Sequence, residues 1–135
     1  MSNITQVINT DKNMKQLKKG VHHSDLDQLL SSTGPFTFFA PSDLAFDKLE
    51  KGYMDGLVAD KSKEPLTEML NNHLVNGRFP FKDMKDGDKM KTVNGRELLI
   101  NLKDGNISIN GAIIVAREQK ISNGVMYSTD AVFVN

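Results

Sequence analysis

Five Asn-Gly or Asp-Gly dipeptides crowded into residues 86–124 constrain this chain more than any other feature: Asp86-Gly87, Asn94-Gly95, Asp104-Gly105, Asn110-Gly111 and Asn123-Gly124. Both dipeptides accept the positive φ angles of type I′ turns, whose twist matches that of paired antiparallel strands. Between them the apolar residues alternate. Leu98, Ile100 and Leu102 do so, as do Ile107 and Ile109, and Val125-Met126-Tyr127 leads into Val132-Phe133-Val134. A period of two is that of a half-buried strand, so the chain from Phe79 onward is predicted to form an antiparallel meander or sandwich.

The first half has a different period. Ile4, Val7 and Ile8 have helical spacing, as do Met14, Leu17 and Val21, with Gly20 as the expected stop. Ser24 with Asp27 resembles a capping box ahead of Leu26, Leu29 and Leu30, and Ser32-Thr33-Gly34-Pro35 breaks the chain. Phe36-Thr37-Phe38-Phe39-Ala40 is too apolar for a surface loop and predicts a buried strand ended by Pro41. Ser42 is placed to cap a helix carrying Leu44, Ala45, Phe46 and Leu49. A further helix starts near Pro65, with Leu66, Met69, Leu70, His73 and Leu74 as its stripe. The pattern predicts an α+β fold, an antiparallel sandwich-like core with helices packed against it. The 135 residues provide for a single domain over 1–135.

Charge excludes several function classes. Lys+Arg and Asp+Glu both total 17, so there is no basic excess to condense on nucleic acid. The run from Lys12 to Lys19, interrupted by Asn13, Met14, Gln16 and Leu17, is expected to be a solvated helix face. No apolar run is long enough for membrane insertion, and Met1 to Gln6 lacks the apolar segment of a signal peptide. The chain is thus cytoplasmic, or exported with its leader trimmed. Cysteine is absent, which excludes disulfides and thiolate sites. His22 and His23 are adjacent and would point about 100° apart on a helix, so they are not expected to share a metal. Without a GxSxG elbow or an oxyanion loop, Ser128, His73 and Asp130 do not make a triad. No catalytic residue, metal or cofactor is expected, and the state expected is a monomer.

Three segments carry a family resemblance. Residues Gly34 to Phe46 run from a strand into a helix through Ala40-Pro41-Ser42; Leu70 to Gly77 centres on His73; Ser122 to Val134 ends the chain. In that order they resemble the signature blocks of the fasciclin (FAS1) domain family, over about residues 4 to 134, in the manner of a small stand-alone bacterial member. The motif positions so matched are Phe36, Thr37, Phe38, Ala40, Pro41, Phe46, His73, Asn123, Gly124 and Asp130. The chain departs from the family at Asn72, where an aromatic residue often precedes the central histidine, and at Tyr127, where a second histidine is frequent. The resemblance implies mostly structural roles for these positions. It also implies a non-catalytic binding or adhesion module, at a cell surface or matrix, recognising a protein or glycan partner.

His73 lies on an apolar stripe, so a buried, hydrogen-bonded ring is expected rather than a ligand. Asn76-Gly77-Arg78 and Asn94-Gly95-Arg96 are turn solutions that could present a loop arginine. Phe79-Pro80-Phe81 either seals the core edge or forms an exposed patch. The candidate binding residues are Asn72, His73, Arg78, Phe79 and Phe81. The alternative function is a small-ligand binder or weak enzyme using a pocket near His73.

Overall fold

A computed structural model describes residues 3–24, 26–49, 52–59, 64–110 and 112–132. Helix α1 (Ile4–Thr10) opens the fold with a true capping box: Asn3 Oδ1 accepts from the Gln6 amide while Gln6 Oε1 accepts from the Asn3 amide. Helix α2 (Lys15–Ser24) runs through Gly20, which is buried and does not stop it. Ser24, the last residue of α2, donates its hydroxyl to Val21 O and accepts from Leu26 N, the bond a helix cap makes to the next helix, while the Asp27 half of the expected capping box lies outside the described residues. Helix α3 (Leu26–Leu30) follows, then strand β1 (Phe36–Pro41) and helices α4 (Asp43–Asp47), α5 (Tyr53–Ala59) and α6 (Glu64–Asn71). Ser42 does occupy the N-cap position of α4, but its hydroxyl bonds Thr129 O rather than the helix.

The remaining strands are β2 (Leu74–Asn76), β3 (Lys89–Lys91), β4 (Glu97–Lys103), β5 (Asn106–Ile109), β6 (Ala112–Ile121) and β7 (Gly124–Thr129). They form one seven-stranded sheet ordered β2-β1-β7-β6-β5-β4-β3. The two edge strands approach each other through an isolated bridge, Val75 to Thr92, so the sheet is nearly closed and barrel-like. One expectation is corrected here: the core is not wholly antiparallel, because β1 pairs in parallel with β7, from Phe36 opposite Gly124 to Pro41 opposite Thr129.

This pairing explains why β1 is buried along its whole length. Alternate residues of a strand face opposite sides. Phe36, Phe38 and Ala40 join Leu17, Leu70 and Met126 in the core between sheet and helices. Phe39 points the other way, into a second core with Leu98, Ile100, Ile109 and Tyr127. The Phe39 and Tyr127 rings stack there, 5.4 Å apart at 19°. The Asp104-Gly105 turn between β4 and β5 has both φ angles positive, as a type I′ hairpin requires. Val132 is buried, while Phe133 and Val134 lie outside the described residues.

Candidate binding surface

The matched motif positions form a clamp. Asn123 is 4% exposed, and its amide satisfies three backbone groups: Nδ2 donates to Leu30 O at 2.7 Å and to Ser32 O at 2.8 Å, and Oδ1 accepts from Ile4 N at 3.2 Å. Its backbone oxygen also accepts from Phe36 N. One residue, through its side chain and its backbone oxygen, thereby ties α1, the end of α3 and β1 together. The next residue, Gly124, comes so close to β1 that a Cβ would lie 1.8 Å from Phe36 O. Asp130 lies beyond β7, where Oδ1 accepts from Ile113 N at 2.8 Å and Oδ2 pairs with Lys48 at 3.2 Å. Phe36, Phe38, Ala40, Pro41 and Phe46 are buried.

His73 is fully buried, but in the turn after α6 rather than on the helix. Its Nδ1 lies 2.9 Å from Met69 O; a carbonyl only accepts, so the ring is the Nδ1–H tautomer. Burial pushes its pKa down to about 4, against the Met69 and Leu70 backbone contacts, while the Arg96 cation lowers it further. Asn72 is also buried, and its Oδ1 accepts from Asn94 Nδ2 at 2.6 Å. Asn94 in turn reaches Glu68 O and is bonded by the Thr92 hydroxyl, so Asn72 belongs to a lock between α6 and the β3–β4 turn. Clefts open at Glu64–Asn94, Asn101–Ile113 and Asp11–Ser128, and His73 lines none of them.

Of the candidate binding residues, Arg78, Phe79 and Phe81 lie together in the segment after β2. Thr37 shapes it: buried in β1, its hydroxyl donates to Gly77 O at 2.8 Å and accepts from Phe79 N at 2.9 Å. Tyr127 OH donates to Phe79 O at 2.7 Å. The Phe79 backbone is therefore held at both ends from inside the sheet, while the residue stays 36% exposed. Arg78 Nη1 donates to Gly124 O at 3.0 Å beside it. Phe81 turns back and packs against the inner core, so the aromatic pair divides between surface and interior. The surface thus joins Arg78 to Phe79, whereas Asn72 and His73 stay in the interior. Sequence reasoning singled out Thr37 and Tyr127 but missed that they anchor Phe79, because a hydroxyl 40 or more residues away leaves no local signal.

The Fasciclin domain model matches residues 12–135. Two proteins of Synechocystis sp. are each 30% identical: Protein sll1483 over 97% of this chain and 72% of its own length, and Uncharacterized protein sll1735 over 99% and 98%. Human periostin is 34% identical over 81% of this chain, which spans 13% of periostin. Among solved structures, the FAS1 domain pair from the insect cell adhesion molecule Fasciclin I matches at a TM-score of 0.85. That match covers 99% of this chain and 51% of the other, at 19% identity, and so concerns the fold.

Proposed function

The chain belongs to the fasciclin domain family, and from that premise we propose that it is a single-domain, non-catalytic binding or adhesion module that meets a protein or glycan partner through Arg78 and Phe79. The observation that carries this reading is the double anchoring of Phe79 by Thr37 and Tyr127. An exposed aromatic held rigid by its own backbone loses little conformational freedom on binding. An aromatic beside an arginine is also the pairing enriched at binding hot spots. Fasciclin I, whose domain pair shares this fold, is a cell adhesion molecule, which supports the same class. A role for the His73 ring itself in a pocket finds no such support among the described residues, because the ring is fully buried and lines none of the three clefts described above.

The test uses immobilised protein and surface extracts of the cells that make it. The wild type is expected to retain a defined surface component that the Arg78→Ala/Phe79→Ala variant releases, with the melting transition preserved. Equal retention by wild type and variant would move the binding face elsewhere.

A further inference from the structure

Helix α2 has an outer face that the reading above leaves unused. From Lys12 to Ser24 the chain holds four lysines and two histidines and not one carboxylate, in a protein whose formal charges cancel. Within α2, Lys15, Lys18, Lys19, His22 and His23 are all exposed, at the i, i+3, i+4, i+7, i+8 spacing that gathers side chains on one helix face. Leu17, Gly20, Val21 and Ser24 are buried on the opposite face. The row is about 12 Å long at a rise of 1.5 Å per residue, and Lys12 extends it in the preceding turn.

Among the described residues, three carboxylates bond to this segment. Asp11 and Asp43 lie at its head, each with an oxygen bonded to a backbone amide, those of Asn13 and Gln16. Asp55 of α5 pairs with Lys19. Among the described residues, no ion pair engages Lys12, Lys15 or Lys18. His22 Nε2 bonds Asn9 Oδ1 and is held at the row's flank.

We propose that this row is a docking strip for a linear acidic polysaccharide, one whose carboxylate or sulfate groups repeat along a single strand. Charge complementarity carries the assignment: a narrow line of ammonium groups, of which Lys12, Lys15 and Lys18 stand outside any ion pair among the described residues, fits a line of anions. A bilayer fits less well, because the apolar side of α2 is spent in the core and leaves nothing to insert. Single-stranded nucleic acid fits less well too, since no aromatic residue between Lys12 and Ser24 offers a stacking platform. The strip is carried by different elements from Arg78 and Phe79, so either site can fail without the other.

Calorimetric titration with alginate oligomers, a linear polyuronate, tests the proposal, with neutral dextran, phosphatidylglycerol vesicles and a single-stranded oligonucleotide as comparisons. Alginate is expected to bind and dextran not, with affinity falling as salt rises, because binding releases condensed counterions. The Lys15→Gln/Lys18→Gln variant should bind roughly tenfold more weakly at low salt, with an unchanged melt because both side chains are exposed. Asp55→Asn should bind more tightly than wild type by freeing Lys19, while Lys85→Gln/Lys103→Gln, on the strand-rich half, should bind as wild type does. No alginate binding, equal loss in the two double variants, or binding confined to vesicles or oligonucleotide would overturn the assignment.

Discussion

Two buried side chains show what single residues do in this fold. His73 is held neutral, with a pKa of about 4 against an ordinary value near 6.5. Since its folded pKa is depressed, the unfolded chain takes up the proton first as pH falls. Stability from this residue is therefore whole above about pH 6.5 and is lost progressively toward pH 4, by about 3 kcal/mol in total. Denaturant melts across this window, paired with an NMR titration of the imidazole, check it; His73→Ala should flatten that part of the profile. A titration midpoint near 6.5 in the folded protein would contradict the burial argument. Asn123→Ala orphans the Leu30 and Ser32 carbonyls and the Ile4 amide at once. A loss of about 2–4 kcal/mol is expected from chemical melts, with faster amide exchange in α1 than elsewhere.

At the scale of elements, the parallel β1–β7 pair is where the two halves of the chain meet. Phe38 is fully buried on its helix side, so Phe38→Ala should cost about 3–5 kcal/mol. Phe79→Ala, at an exposed ring, should change stability by less than about 1 kcal/mol. Gly124→Ala tests the pairing more severely, since the new Cβ has no room against Phe36 O. It should destabilise by about 3 kcal/mol or more and leave little soluble folded protein. Expression yield and circular dichroism read this directly, and a Gly124→Ala protein that melts like wild type would mean the strands are farther apart.

Across the whole molecule, the sheet closes at a single weak seam. Val75 bridges Thr92, Val93 N bonds Leu74 O, and Asn94 links Asn72 and Glu68. Asn94→Ala removes the side-chain part of that seam, so Val75 and Thr92 amides should exchange faster while the β6–β7 amides keep their protection. A uniform rise in exchange would mean that the seam and the rest of the sheet open as one unit. The cores on either side of β1 are built of apolar side chains, so the melt is expected to be cooperative and insensitive to EDTA.

Local chemistry made much of this protein legible from its sequence. Helical spacing located α1, α2 and α6, the aromatic run located β1, and Asp104-Gly105 marked its hairpin, because each depends on neighbours within a turn or two. The order Gly34–Phe46, Leu70–Gly77, Ser122–Val134 was enough for the family. Other outcomes rest on residues far apart in the chain. Gly20 continues its helix because it packs in the interior, and Ser42 leaves its cap for Thr129. Periodicity cannot report that β1 runs parallel to the last strand, since alternation is the same in either direction. The exposure of Phe79 beside a half-buried Phe81 was likewise undecidable locally: it is set by hydroxyls on Thr37 and Tyr127, which only tertiary pairing brings to either end of one residue.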